Sequence, residues 1–265
     1  MIDSHAHLDD PRCESALAAR LEAERAQGIS GWVVPGVDLG TLDNRMALLT
    51  QLGAAGLYGM VRFAVGVHPY FAASTLRTLG GPDAVEDLLA ESAEELEAVA
   101  IGETGFDKSK PEYSSALEDQ TKVFELQVRV ANRLRLPIIV HLVRAEGELL
   151  GALKTNPVEY GGVVHGFSGG PESAEQLLKR DLYLGFGMSL LKRASHPDSP
   201  LARAAARVPL DRILVETDAP DQTEDLRGVV QVVKRLAEIR GDHPEDLAAA
   251  IRQNTETLFQ CSFQP

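Results

Sequence analysis

Eight short runs of small, β-branched or apolar residues recur along the chain, each followed by a longer stretch, and this alternation limits the fold more than any other feature. The runs read as strands are Ile2–His7, Gly31–Pro35, Arg62–His68, Val99–Gly105, Pro137–Leu142, Gly161–Phe167, Leu182–Phe186 and Arg212–Asp218. Seven of them stay apolar until a polar residue ends them, as parallel strands covered on both faces do. The first differs, because Asp3, His5 and His7 occupy one of its faces. Between the strands, Gln120–Arg135 repeats Val123, Leu126, Val130 and Leu134 at helical spacing, and Val229–Ile239 repeats Val232, Val233 and Leu236. Ser15–Gln27 reads as a helix stopped by Gly28, and Asp242-His243-Pro244-Glu245 as the start of another with proline in its first turn.

Eight such units without a charged or Pro/Ser-rich linker predict one domain over residues 1–265, folded as a (β/α)8 TIM barrel. An open doubly wound sheet is the alternative. No Gly-x-Gly-x-x-Gly turn follows the first strand, however, and the polar residues are spread over six strand ends, which only a closed barrel brings to one place. Hydrophobic residues make up 44% of the chain, enough for a core of that size. The formal charge of −13 argues against non-specific attraction to nucleic-acid backbones or anionic membranes. A nucleic acid gripped through divalent cations stays possible, since bound ions invert the local field. The apolar stretch Leu136–Val143 is broken by Pro137 and His141 and is far too short to span a membrane. Met1 leads directly into Ile2-Asp3-Ser4-His5 without a basic or apolar leader, and Cys13 and Cys261 show no paired spacing, so a reducing, cytoplasmic setting is expected.

The chemistry gathers at the strand ends. His5 and His7 are two apart, so their rings share a face, and Asp3 on that face can orient one of them. The third strand ends in Gly66-Val67-His68-Pro69, the fourth in Gly102-Glu103-Thr104-Gly105, the fifth at His141, the sixth at His165 and the eighth in Glu216-Thr217-Asp218. Five of the seven histidines therefore fall at strand ends. As ordinary core residues each would need its own partner to offset burial, whereas a metal site accounts for all of them together. So many ligands exceed the roughly four that a structural zinc takes. They suit two divalent ions roughly 3.5–4 Å apart, bridged by a carboxylate and a hydroxide. Glu103 is the natural bridge, with His5, His7 and Asp218 on one ion and His141 and His165 on the other. Asp218 can also accept the proton of the attacking water. His68 is left for a substrate oxygen.

These residues resemble the TatD family of metal-dependent deoxyribonucleases within the amidohydrolase-like superfamily. The matching stretches are Asp3-Ser4-His5-Ala6-His7-Leu8-Asp9, Gly66-Val67-His68-Pro69, Gly102-Glu103-Thr104-Gly105-Phe106-Asp107, Leu136-Pro137-Ile138-Ile139-Val140-His141, His165-Gly166-Phe167-Ser168-Gly169, Val215-Glu216-Thr217-Asp218-Ala219-Pro220 and Asn254-Thr255-Glu256-Thr257-Leu258-Phe259. The resemblance implies a barrel, a site for two divalent ions (Mg2+, Mn2+ or Zn2+), and hydrolysis of DNA phosphodiesters, often from a 3′ end; with a charge of −13 only a short stretch of strand can be gripped, which favours single-stranded ends. The chain departs from the family at the rim. Arg144 is displaced by one position after His141, Phe106-Asp107-Lys108 stands where the family usually has Leu-Asp-Tyr, and Asp221 replaces a common aromatic.

Rival readings differ in testable features. Many amidohydrolase-like enzymes acting on cyclic amides, lactones or phosphotriesters bridge their metals with a carboxylated lysine on the fourth strand, but Val99–Gly105 contains no lysine. A mononuclear deaminase would not need Glu103. A barrel kept only to bind a partner would gain nothing from the ligand set. Lys108, Lys110, Arg144, Lys192 and Arg193 are the basic residues in strand-end loops near the site, each by default simply solvated and otherwise able to grip phosphate, and Ser168-Gly169-Gly170 is either a backbone anion site or a plain N-cap turn. Trp32, opening the second strand, reads as packing.

Overall fold

A computed structural model describes residues 1–13 and 16–264. Eight parallel strands lie in one sheet whose order follows the chain: β1 (Ile2–Asp3), β2 (Gly31–Val34), β3 (Val61–Val65), β4 (Ala100–Asp107), β5 (Ile138–Val143), β6 (Gly162–Val164), β7 (Leu182–Phe186) and β8 (Ile213–Val215). The two edges meet. Ser4 N–H donates to the Val215 carbonyl at 2.9 Å, His7 N–H to Ala219 at 2.7 Å and Asp218 N–H to His5 at 2.9 Å. The sheet thus closes on itself with helices around it, and the chain is a (β/α)8 barrel. No described helix is long and apolar enough to cross a membrane.

Alternation along the strands separates two packed layers. Val33, Ala64, Ala100, Ile139, Val163 and Leu214 fill the barrel interior together with Ile2. Their neighbours Trp32, Val34, Ile138, Val140, Val164, Ile213 and Val215 face the helices, and Trp32 is fully buried there as packing. Phe259 and Phe263 join the inner layer from the C-terminal segment. Phe263 lies where a Cβ on Gly31 would be, so glycine at that position lets the segment seat against β2. One end of the barrel is thereby plugged with apolar side chains, and the polar strand ends occupy the other.

The helix expectations hold with shifted ends. The helix Leu117–Leu134 ends at Arg135, which takes a left-handed φ of 60°, and Gly228–Arg240 is closed by Gly241 at φ 74°. Pro244 opens the last helix, Pro244–Leu258. The first helix runs Leu17–Arg25, shorter than Ser15–Gln27, and Ser15 itself lies outside the described residues. The strand ends are also shorter than their apolar runs suggest. His165 and Asp218 stand just beyond β6 and β8, where the chain leaves the ladder and frees side chains to turn inward.

Candidate metal centre and its cleft

In β4 the inward positions do not follow simple alternation. Ala100 faces inward and Ile101 outward, so a regular strand would turn Glu103 towards the helices. The β4–β5 register shifts between Ile101 and Thr104, which moves Glu103 inward and leaves Thr104 bonded to Gln127 of the surrounding helix. Gly102 makes this shift feasible. Its φ is 149°, and a Cβ there would lie 2.5 Å from the Ile139 carbonyl oxygen. After the shift Phe106 packs outward against the helices and Asp107 turns inward to His141.

Glu103 is buried at the centre of the expected ligands. Its Oε2 lies 3.6 Å from His5 Nε2 and 3.6 Å from His7 Nε2. Its Oε1 lies 2.9 Å from His165 Nε2 and 3.4 Å from His141 Nδ1. One carboxylate therefore faces two separate pairs of imidazoles, one with each oxygen. Asp218 Oδ1 joins the first pair, 3.4 Å from His7 and 3.8 Å from His5. The structure brings all six expected ligands together.

Asp218 holds a left-handed φ of 54°, a conformation that aspartate tolerates better than most residues. Asp3 anchors the segment leading to it. The Asp3 carboxylate accepts from Thr217 N–H at 3.0 Å, Thr217 Oγ1 at 2.6 Å and His5 N–H at 3.2 Å. Burial pushes Asp3 up to about 7 against these donors. This corrects the expected role of Asp3, which holds the backbone of β1 and β8 in register rather than orienting a histidine ring.

The histidines differ in what their rings can donate. His141 Nε2 lies 2.9 Å from Asp107 Oδ2, and a carboxylate only accepts, so Nε2 carries a proton towards Asp107, while Nδ1 faces Glu103 at 3.4 Å. His68 is the reverse case. Its Nδ1 accepts from Tyr70 N–H at 3.1 Å, so neutral His68 presents Nε2–H to the site, 3.8 Å from Glu103 Oε1. His68, Glu103 and His141 are close enough together to hold an ion. The tautomer favours His68 as a donor to substrate oxygen instead, and burial, which pulls it down to about 3, keeps it neutral.

The donor set fits divalent cations. Both ring nitrogens of His5 and Nδ1 of His165 are buried without hydrogen-bond partners among the described residues. Burial lowers the pKa of His5, so its imidazole is neutral with a lone pair available. For Glu103 burial opposes ionisation, yet the imidazoles of His165, His5 and His68 hold its carboxyl well below the usual range. Burial alone would lower His7, but the hydrogen bond with Asp218 and the charge of Glu103 push it up to about 9. A proton therefore competes with a metal ion for His7 at neutral pH. Metal affinity is expected to rise by about tenfold per pH unit for each proton displaced, up to pH about 9, and to fall correspondingly with acid. Calorimetric titration of a divalent ion in buffers of different ionisation enthalpy reads the released protons. Affinity independent of pH would contradict this.

Several supporting residues have roles that the sequence pattern alone does not assign. Asp107 orients His141 and also accepts from Ser109 N–H at 2.6 Å. Glu216 Oε1 lies 3.7 Å from His165 Nδ1 and accepts from Gly166 N–H. Gln127 binds both backbone groups of Val67, and Gln120 does the same for Asp107, so one helix fixes the ends of β3 and β4. Their signal is present in the sequence: two glutamines seven apart lie on the apolar face of that helix. Buried Arg45 ties Asp9 at 2.9 Å to the carbonyls of Pro35 and Ala64.

A cleft of about 250 Å3 opens over the centre, lined by His7, His68, Glu103, His141, His165 and Asp218 together with Asp10, Val37, Tyr70, Asp221 and Gln222. Most rim cations are engaged with neighbours or simply exposed. Lys108 is paired with Glu148 at 2.6 Å, and Lys192 leans on Gln222 at 3.4 Å. Arg144 and Arg193 are exposed without an ion pair among the described residues, and Arg144 borders a separate hollow with Ser168 and Gly169. At the expected anion site, Glu146 bonds Ser173 Oγ in the first turn of the helix Pro171–Leu178. A carboxylate of this chain thus meets that turn.

Residues 2–260 match the family described as TatD related DNase. The chain belongs to the TatD family. It is a metal-dependent hydrolase of that family. It is 30% identical over 272 residues to an uncharacterized metal-dependent hydrolase, YabD, of Bacillus subtilis, covering 98% of this chain and 99% of that protein. It is 30% identical over 281 residues to the 3′-5′ ssDNA/RNA exonuclease TatD of Pantoea vagans, covering 98% of this chain and 99% of that protein. Among solved structures, the TatD homologue YjjV of Escherichia coli superposes with a TM-score of 0.82 at 28% identity, over 99% of this chain and 98% of that one.

Proposed function

We propose that this TatD-family hydrolase is a nuclease that holds two divalent ions and removes nucleotides from the 3′ end of single-stranded DNA. The observation that carries the reading is the orientation of Glu103, with one oxygen towards His5 and His7 and the other towards His141 and His165. Such an arrangement suits a bridge between two ions. His5, His7 and Asp218 would hold one, His141 and His165 the other. When bound, paired divalent ions supply charge stabilisation to both the attacking and the leaving oxygens of a phosphodiester.

The chain's own residues divide the remaining work. Asp218, partly open to the cleft, accepts the proton of the attacking water. His68 donates its Nε2–H to a phosphate oxygen. Asp107, Asp3 and the two glutamines keep these groups in register before substrate arrives. With a charge of −13, long-range attraction to a polyanion is weak or repulsive, so capture rests on the centre and a few exposed cations. That favours a short grip on a free end over a hold on a long duplex. The exonuclease relative supports nucleic acid as the substrate class.

The test compares a labelled linear single strand, a closed circular single strand and a blunt duplex, each with Mg2+, Mn2+ or Zn2+. Stepwise loss from the 3′ end of the linear strand is expected, with little cutting of the other two and a shallow dependence on salt. Equal cutting of the circle would make the enzyme an endonuclease. No cutting of any strand, with hydrolysis of a lactone or cyclic amide, would overturn the reading.

A further inference from the structure

Next to the proposed ligands stands a group of aromatic residues that the hydrolytic chemistry does not use. Tyr70 follows His68 in the single turn Pro69–Phe71, lines the cleft and remains 42% exposed. Its ring stacks on Tyr113, with centroids 4.0 Å apart and planes inclined by 15°. Lys110 lies over the Tyr113 ring, its ammonium 5.1 Å from the centroid, and has no carboxylate partner among the described residues. We infer that Tyr70 and Tyr113 form a stacking platform for one nucleobase of the strand whose phosphodiester lies at the metal centre. The inference rests on the nuclease reading above.

Three features favour a base over any other occupant. First, the pair is tied to the site. Tyr70 donates its phenolic proton to Asp107 at 3.2 Å, and the same carboxylate holds His141. Gln120 donates to the Tyr113 carbonyl at 2.8 Å and to the Asp107 carbonyl at 3.1 Å, so Tyr113 is fastened to the end of β4. A base resting there is held at a set distance from the reacting phosphate. Second, the rim charge is uneven. The rim after β1 and β8 carries Asp10 and Asp221, both clamped by Arg12 at 2.7 and 2.5 Å, and two carboxylates there repel a phosphate chain. The rim after β3 and β4 carries the tyrosines, the Lys108–Glu148 pair, exposed Glu112, and Lys110, which donates to the Tyr113 hydroxyl at 3.4 Å and has no carboxylate partner among the described residues. A base settling on Tyr113 displaces the exposed Lys110 side chain, whose ammonium is then free for a phosphate. Third, a cleft of about 250 Å3 is small beside the roughly 300–1,000 Å3 of pockets that enclose larger ligands, so one nucleotide is engaged rather than a duplex. Every base has a π-face, so stacking of this kind holds single strands with little regard to sequence.

Tyr113 is the cleaner probe, because it touches none of the proposed ligands, whereas Tyr70 is bonded to Asp107. The experiment measures kcat/KM on single-stranded oligonucleotides that are identical except for an abasic residue at the terminal or the penultimate 3′ position. The wild-type protein is expected to prefer the natural strand by about tenfold at one of the two positions, the scale of one base on one aromatic ring. In Tyr113→Ala that preference falls to near unity. Tyr113→Phe and Tyr113→Trp retain it, which separates stacking from a role of the hydroxyl or of mere fold integrity. A wild-type protein that cuts DNA without any such preference, or a Tyr113→Ala variant that keeps it, would overturn the platform while leaving the nuclease reading intact. Failure to cut every strand would remove both.

Discussion

Replacing Asp218 with asparagine is expected to lower turnover by about 10²-fold or more, the usual cost of losing a general base, while the barrel stays folded. The side chain lies at the mouth of the centre, within 3.4 Å of His7 and 3.8 Å of His5, and asparagine nearly preserves its shape. On the proposed mechanism the change removes one negative charge from the proposed ligand set and the proposed acceptor of water's proton. The imidazoles beside it, His7, His5 and His165, hold the carboxyl below its usual range although burial opposes this, so it is ionised across the neutral range. A single-turnover assay at saturating metal separates the chemical step from metal loss. Near-normal turnover in Asp218→Asn would show that another group is the base. Glu216, buried against His165, would then be the first to examine.

Glu103→Ala should have a different and larger consequence, because both halves of the site share this carboxylate. Its removal leaves His5 and His7 on one side and His141 and His165 on the other with no common acceptor. Losing an outer residue that merely orients a ligand costs about 10–100-fold in metal affinity, and losing a bridging ligand should exceed that for both ions. Metal content after dialysis, measured beside activity across a range of metal concentrations, reads the effect. Retention of both ions in Glu103→Ala would show that the carboxylate is not the bridge.

The two variants probe features that differed in how clearly the sequence displayed them. His141 and His165 were legible because each ends an uninterrupted apolar run, so alternation from Ile139 and Val163 carries directly to an inward-facing ring. His5 and His7 were legible as a pair. Glu103 was legible by its place in the series but not by geometry, since strict alternation from Ala100 points it outward. Only the register shift at Gly102 turns it to the centre, and such a shift depends on the neighbouring strand, which a local pattern does not encode. Asp3 failed for a similar reason. Its partner Thr217 is 214 residues away, so spacing suggested a nearby ring instead. Asp107 acts on the His141 ring of the neighbouring strand, and Gln120, Gln127 and Arg45 act on backbone groups of strand ends that only tertiary packing brings to them.

The alternation of eight units was sufficient for the fold class, because parallel strands joined by helices leave few other ways to cover both faces of the sheet. Element boundaries were less legible. Helices such as Leu42–Ala54 and Pro82–Glu95 mix buried leucines with many alanines and charges, so their apolar stripe is faint. The rim was the least readable region. Lys108 looked available for phosphate until its pairing with Glu148 was placed, and Tyr113 drew no notice until it met Tyr70 across two loops.

On the proposed reading the strand-end histidines and carboxylates form one centre whose two divalent ions are required for hydrolysis. It is tested most directly by stripping the protein with chelator and titrating Mn2+ or Zn2+ back while counting bound ions and following cleavage of a 3′-labelled single strand. The stripped protein is expected to be inactive, to bind two ions per chain at saturation, and to regain activity as the pair fills. Stripped protein that remains fully active, or protein that binds no ion before or after soaking, would contradict it.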